Sequence, residues 1–152
     1  MEFDKELLEF LKSQRLLVIA SQDGELWVSN VYYVIDEELK FYFISNEETK
    51  HSKQIMKNSE IAFSVTWFNE KNLKDRKAIQ GKGICRIAVN EGEIKKGVEL
   101  YNEYYPESTE SITVDWVKSD ENKSHVWIIE PSYIKYWDDS LYGRERTKEF
   151  IT

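Results

Sequence analysis

The sequence is poor in the residues from which metal and disulfide sites are built. Only one cysteine, Cys85, and two histidines, His51 and His125, occur in 152 residues. A single cysteine excludes an internal disulfide and favours a reducing, cytoplasmic location. Neither histidine stands near a cysteine or a carboxylate at metal-ligand spacing, so we do not expect a protein metal site.

Long apolar runs and excess positive charge are also missing. No stretch approaches the roughly 18 consecutive apolar residues of a membrane-spanning helix. The first residues carry Glu2, Asp4 and Glu6, where a signal peptide has positive charge. We therefore expect a soluble protein without a membrane partner. The formal net charge of −7 argues against a broad basic face for nucleic acid.

The sequence has no glycine-rich phosphate loop, because the GKG at 81–83 is too short to form one. Apolar residues nevertheless make up 41% of the chain and aromatic residues 14%, which is enough for a folded core. The length predicts one domain over residues 1–152.

Most of the periodic segments predict strands. Leu26–Ile35 is apolar on both faces, which favours a closed barrel or a subunit interface. The other predicted strands are 16–21, 39–45, 61–68, 76–89, 125–130 and 133–137. Meandering strands in one small domain predict a mainly β fold, a barrel more than a sandwich.

The remaining segments predict short helices and loops. A helix that includes Phe3 and ends near Gln14 precedes the first strand, and another covers 49–57. A helical insertion of about 91–118 precedes the last strands, with 108–117 ambiguous. We expect a polar loop at 69–75. From Asp138 we expect a polar C-terminal tail that extends as an arm.

The start of the second helix is the best candidate for a phosphate site. Thr49, Lys50 and His51 combine a hydroxyl, a cation and the free N–H groups of a first helical turn. The preceding Glu47 and Glu48 would repel an anion if they pointed inward. They are also compatible with the ordinary acidic first turn of a helix that Asn46 caps.

One aromatic side chain stands apart from the other predicted core residues. Trp137 lies near the end of the chain, where a core is usually complete. From the sequence alone, a core position and a position covering a flat ligand are about equally favoured.

The ordered segments FYFISNEETKHSKQI, AIQGKG and EPSYIKYW resemble the split barrels of the pyridoxamine 5′-phosphate oxidase-like superfamily. Within this superfamily, the chain is similar to a group of small bacterial proteins that share three of its segments, GELW, the ETKH loop and NEYYP. The likeness covers nearly the whole chain. It implies a six-stranded split barrel that forms a homodimer, with flavin mononucleotide (FMN) in the groove between the subunits.

The resemblance also implies positions for the residues that contact FMN. Those on the second and third strands would lie along the ring and ribityl chain, those at the helix start would bind the phosphate, and Trp137 would come from the partner subunit. The implied residues are Ser29, Asn30, Val31, Ile44, Ser45, Thr49, Lys50, His51, Arg76 and Trp137.

The chain departs from the oxidase at informative positions. Ser29 and Asn30 stand on a strand where the oxidase has basic residues, and His51 occupies the second basic position of the phosphate site. The late arginine motif of the oxidase is approximated only by Arg144 and Arg146. We therefore expect an activity other than pyridoxamine-phosphate oxidation.

The leading hypothesis is an FMN-dependent oxidoreductase that acts on a small molecule. The alternative is a non-catalytic protein that binds flavin or another flat cofactor for storage or sensing. A small barrel that binds oligonucleotides through exposed aromatic residues is a third hypothesis, which the net charge of −7 disfavours.

Overall fold

A computed structural model describes residues 4–107, 112–144 and 146–152. The elements are α1 (Lys5–Lys12), β1 (Leu16–Gln22), β2 (Leu26–Ile35), β3 (Phe41–Asn46), α2 (Lys50–Lys57), β4 (Glu60–Asn69), β5 (Asn72–Ile87), α3 (Glu91–Tyr104), α4 (Val114–Lys118), β6 (Ser124–Asp138), α5 (Asp139–Tyr142) and β7 (Thr147–Ile151). The fold is mainly β, as the sequence predicted. No helix among these residues is long and apolar enough to cross a membrane.

Six antiparallel strands close into a barrel. The sheet runs in the order β3-β2-β1-β4-β5-β6-β7, and an additional pairing of β3 with β6 joins its two ends. β7 pairs only with the last part of β6, outside the closed ring. Closure gives every barrel strand two neighbours and removes the exposed edges that favour aggregation.

Alternation along each strand fills the barrel interior with apolar side chains. The main core cluster includes Ile19, Tyr33, Phe41, Phe63 and Trp127, all nearly inaccessible to solvent. Because successive side chains point to opposite faces, the intervening residues of these strands form the outer surface.

Two helices cover the ends of the barrel. The Tyr33 hydroxyl donates to the Leu11 carbonyl of α1, near the beginning of β1. At the other end, the Ser21 hydroxyl donates to Gln54 of α2. The helix α2 is therefore anchored to the barrel, and its start is held at a fixed position.

The helical insertion packs outside the barrel. Ile94 and Val98 of α3 form a second cluster with Val34, Tyr42 and Ile128 from the outer faces of β2, β3 and β6. α3 therefore covers only the last part of the outer face of β2. The earlier residues of that face remain exposed in the single chain.

β2 and β3 pair over only a short distance. Their three pairs run from Ile35–Phe41 to Tyr33–Phe43. Beyond this point β2 continues beside β1, whereas β3 continues beside β6 to Asn46. The two strands therefore separate next to Ser29, Asn30 and Val31. We call this opening the β2–β3 gap.

Two segments differ from the sequence-based expectation. The predicted loop at 69–75 is instead a tight hairpin, because β4 extends to Asn69 and β5 begins at Asn72. The predicted polar tail folds as α5 and β7, with Phe150 buried in the main core. Polar residues on its exposed faces concealed this anchoring side chain.

Parts of two predicted helical segments lie outside the described residues. They are Phe3, and residues 108–111 of the ambiguous segment 108–117. The part of that segment that is described contains α4, which Thr113 caps by accepting a hydrogen bond from the Trp116 N–H.

The long strand β5 is irregular beside its glycines. The register between β5 and β6 shifts between Lys82 and Gly83. A Cβ atom at Gly83 would lie 2.3 Å from the Glu130 carbonyl oxygen and 2.8 Å from the Pro131 Cα. These are backbone atoms and cannot move aside as a flexible side chain could.

We predict that Gly83→Ala destabilises the protein by about 1–3 kcal/mol, because the two backbones must separate. Urea unfolding measures this free energy. The exposed neighbour Lys82→Ala is the control and should change stability by less than about 0.5 kcal/mol. Equal stability of the two variants would contradict the close approach of β5 and β6.

Candidate functional site

Thr49 begins α2 and organises its first turn. Its Oγ1 accepts a hydrogen bond from the Ser52 N–H at 3.2 Å and donates one to the Ser52 hydroxyl at 2.7 Å. Thr49 is therefore the N-cap residue, and Asn46 instead caps the preceding turn by accepting from the Glu48 N–H. The remaining N–H groups of the first turn lie beside the Thr49 hydroxyl.

His51 is buried behind this helix start. Its Nε2 lies 2.9 Å from the Ser45 hydroxyl and 3.2 Å from the Thr49 hydroxyl. Burial lowers the pKa of the imidazole below its ordinary value of 6.5. His51 is therefore uncharged at neutral pH, and it contributes hydrogen bonds to this corner but no positive charge.

Lys50 provides the cation at the helix start. Its Nζ lies 2.7 Å from Glu25 Oε1 and 4.2 Å from the centre of the Trp27 ring. Both partners belong to the β1–β2 hairpin, so the ammonium group is held between this hairpin and α2. A phosphate here would have to compete with the half-exposed Glu25 carboxylate.

The two acidic residues before the helix have cationic or imidazole partners of their own. Glu47 lies 2.6 Å from Nε2 of His125, and Glu48 pairs with Lys123 and Lys53. These contacts direct both carboxylates toward β6 and the outer side of α2. Both carboxylates therefore belong to the loop and not to the candidate phosphate site at Thr49 and Lys50.

At the β2–β3 gap, the structure leaves one hydroxyl unsatisfied. Ser29 Oγ is buried and has no hydrogen-bond partner among the described residues. Val31, on the same face of β2, is buried in the core, whereas Asn30 points outward. Across the gap, Ser45 shares its hydroxyl with His51, and the half-buried Ile44 packs on the outer cluster.

Arg76 and Trp137 form a second group on the outer face of β5 and β6. Trp137 lies opposite Ala78, two residues from Arg76 along β5. Trp137 Nε1 is buried without a hydrogen-bond partner among the described residues. Arg76 Nε donates to Asp139 at 2.9 Å, which leaves the other guanidinium N–H groups for another acceptor.

The predicted site residues thus form two groups within one chain. Ser45, Thr49 and His51 are joined by hydrogen bonds at the β2–β3 gap, and Arg76 and Trp137 lie together on another face. No hydrogen bond, ion pair or ring contact connects the groups within residues 4–107, 112–144 and 146–152. Neither group alone encloses a flat ligand.

Sequence reasoning missed the hairpin partners of Lys50. Glu25 and Trp27 lie more than twenty residues before it, and no spacing pattern connects them. The GELW motif, which contains both residues, was the only available signal. The Glu47–His125 contact was missed for the same reason, since it crosses from the loop after β3 to β6.

Comparison with known proteins places this architecture in context. The family model for pyridoxamine 5′-phosphate oxidase matches residues 3–138. A UPF0306 protein of Campylobacter jejuni is 26% identical over 149 residues, which cover 97% of each chain.

Solved structures share the fold at lower identity. A heme binding protein from Mycobacterium smegmatis superposes with a TM-score of 0.73 and 11% identity. The match covers 97% of this chain but only 57% of that one. A pyridoxamine 5′-phosphate oxidase-like protein from Listeria innocua gives a TM-score of 0.65 and 15% identity, with 86% and 94% of the two chains covered. These likenesses establish the split-barrel fold.

We predict that burial of neutral His51 makes stability fall as the pH drops below about 6.5. Because the pKa of His51 is lower in the folded chain than in the unfolded chain, the unfolded chain binds a proton more readily as the pH falls. Acid therefore favours unfolding. The free energy of urea unfolding, measured at pH 7.5 and 5.5, should decrease less in His51→Gln than in the wild type.

The matched control is His125→Gln, which removes the chain's other histidine. It should retain the loss of stability between pH 7.5 and 5.5. An unchanged pH dependence in His51→Gln would show that His51 titrates equally in the folded and unfolded states.

Proposed function

Because the chain belongs to the pyridoxamine 5′-phosphate oxidase family, we propose that it is a homodimeric FMN-binding protein. We further propose that it is a flavin-dependent oxidoreductase of a small molecule. The observation that carries the proposal is the β2–β3 gap beside the start of α2, where the buried Ser29 hydroxyl has no partner in the described part of the chain. A buried hydroxyl without a partner is unusual enough in proteins to require an explanation.

The described residues fit FMN at the atoms where hydrogen bonds are missing. Ser29 Oγ and Trp137 Nε1 are both buried and unpartnered, and both were predicted to contact the flavin. The start of α2 provides N–H groups and the Lys50 ammonium for a phosphate dianion. The Thr49 hydroxyl can join them by exchanging its hydrogen bond to Ser52 for one to the phosphate. Glu25 would exchange its contact with Lys50 for solvent when the phosphate binds.

A homodimer would bring the two groups of site residues together. The outer face of β1 and β2 exposes Leu16, Leu26, Val28 and Tyr32, each by more than half. The Tyr32 ring also makes an edge contact with Tyr105. We call these four residues the β1–β2 face. An exposed apolar surface of this kind is typical of a protein interface. With two copies joined, Arg76 and Trp137 of one chain can complete the gap of the other.

In this proposal, the protein's residues mainly bind and orient. When bound, FMN supplies hydride-transfer chemistry. Lys50 and the first turn of α2 hold the phosphate, and Arg76 donates hydrogen bonds toward the ring. His51 stays neutral and fixes the hydroxyls of Ser45 and Thr49. Oxidoreductase activity then depends on access of the substrate to one face of the ring.

A second candidate is a protein that binds another flat cofactor, such as heme, without flavin chemistry. The similar fold of the heme binding protein from Mycobacterium smegmatis favours this candidate. The two histidines of this chain also flank Ser45, through the His51 hydrogen bond and the β3–β6 pairing of Ser45 with His125. Titration of the purified protein with hemin and, separately, with FMN discriminates the two candidates by their absorption bands.

We predict that the double variant Thr49→Ala/Lys50→Ala weakens FMN binding by a few kcal/mol, the scale of charge-assisted contacts to a phosphate. Quenching of flavin fluorescence during titration measures the affinity. The cap lost at Thr49 also costs roughly 1 kcal/mol of stability. Titrations should therefore be made well below the unfolding temperature.

The matched control is Thr113→Ala/Lys53→Ala. It removes an equivalent helix cap from α4 and a lysine from the outer side of α2. FMN affinity should remain that of the wild type. If the two double variants bind FMN equally well, the phosphate is held elsewhere.

We predict that the protein sediments as a dimer at micromolar concentration and that Val28→Glu shifts it toward the monomer. Val28 is 60% exposed in the single chain, so the substitution should not disturb the core but would bury a charge in the interface. Val89→Glu, at an 84% exposed position after β5, should remain dimeric. A dimer that Val28→Glu leaves intact would place the interface on another face.

A further inference from the structure

The lysine at the start of α2 has two partners in the hairpin that precedes β2. Lys50 Nζ lies 2.7 Å from Glu25 Oε1 and 4.2 Å from the centre of the Trp27 ring. The ring attracts the ammonium group through its electron-rich face and leaves the charge available to an anion. The carboxylate neutralises that charge. Glu25 and Trp27 therefore have opposite consequences for an anion that approaches Lys50.

The backbone of this hairpin is held against α2 by contacts that do not involve the Glu25 carboxylate. Gln54 Nε2 donates to the Glu25 carbonyl at 3.3 Å, and Asn58 Nδ2 donates to the Gln22 carbonyl at 3.0 Å. At the turn itself, the Asp23 N–H also donates to the Glu25 carbonyl. The hairpin therefore stays in place when the Glu25 carboxylate turns into solvent.

The Glu25–Lys50 pair is strong enough to weaken the binding of an anion and weak enough to be displaced by one. The side chain of Glu25 is 61% exposed and that of Lys50 is 42% exposed. Water and salt screen pairs of this exposure, so they shift an equilibrium by a factor of at most about five. A phosphate dianion gains the N–H groups of the first helical turn in addition to the ammonium group. It therefore displaces the carboxylate, but its affinity is lowered by the pair that it breaks.

Only a ligand that carries a phosphate has to break this pair. Riboflavin has the ring and ribityl chain of FMN without the phosphate, so it leaves the contact between Glu25 and Lys50 intact. We propose that Glu25 is an internal competitor for Lys50 that sets how strongly the protein prefers FMN over riboflavin. Trp27 keeps the ammonium group at the helix start whether or not the carboxylate is displaced. The position of the phosphate in this proposal rests on the function proposed above.

Titration of Glu25→Gln with FMN and with riboflavin tests the proposal, with flavin fluorescence as the readout. The substitution replaces the carboxylate by an uncharged amide of the same length. FMN affinity should increase roughly fivefold, the upper range for an exposed ion pair, whereas riboflavin affinity should remain that of the wild type. The matched control is Asp23→Asn, which removes one charge from the same hairpin. Asp23 lies 3.7 Å from Lys57 at the far end of α2, so neither affinity should change.

A Lys50→Ala background isolates the competition itself. Without the ammonium group, Glu25→Gln should no longer raise FMN affinity. An undiminished increase in that background would mean that Glu25 only repels the phosphate, which would overturn the proposal. Equal increases for FMN and riboflavin, or equal increases in Glu25→Gln and Asp23→Asn, would also overturn it.

Failure of this proposal and failure of the proposed function give different results. If the wild type binds FMN and Glu25→Gln binds it no more tightly, the assignment of Glu25 fails and FMN binding stands. If no variant binds either flavin, FMN binding fails, and calorimetric titration with inorganic phosphate decides the role of Glu25. Tighter phosphate binding by Glu25→Gln than by Asp23→Asn would support competition at Lys50, and equal binding would overturn it.

Discussion

The structure depends on how β3 divides its hydrogen bonds between two neighbours. It pairs with β6 over its whole length, and this pairing closes the barrel. It can pair with β2 only from Phe41 to Phe43, because the strands diverge beyond that point. Closure of the barrel and opening of the β2–β3 gap are therefore two consequences of one arrangement. The gap lies where the start of α2 and the unpartnered Ser29 hydroxyl also lie.

The helix start is supported by buried polar contacts that fix its position. Gln54 accepts a hydrogen bond from Ser21 inside the barrel end and donates one to the Glu25 carbonyl of the β1–β2 hairpin. His51 connects the helix to β3 through Ser45. Satisfied polar networks of this kind hold side chains in one arrangement. The first turn of α2 is consequently in place before any ligand binds.

The fold was largely predictable because its signals are local. The apolar run Leu26–Ile35 predicted β2 with its observed bounds. The C-terminal tail was not predictable, because few of its described residues contact the main core, chiefly the buried Phe150 and the partly buried Tyr142. The hairpin at 69–75 was missed since its polar residues are equally typical of a loop.

The candidate site was predictable only in part. The sequence indicated Thr49 and Lys50, and the structure places them at the start of α2. It did not indicate that His51 is buried and neutral, because burial depends on strands that are distant in the chain. Nor did it show that Lys50 already has a carboxylate partner in Glu25. Charges at a site depend on three-dimensional neighbours, which a motif does not specify.

The central claim is that the β2–β3 gap binds FMN, and the visible absorption spectrum tests it most directly. The spectrum should be recorded on freshly purified protein, and again after addition of FMN and extensive dialysis. The account predicts that a two-banded flavin spectrum is retained after dialysis, at one flavin per chain. A protein that is colourless on purification and loses all added FMN on dialysis would contradict the account.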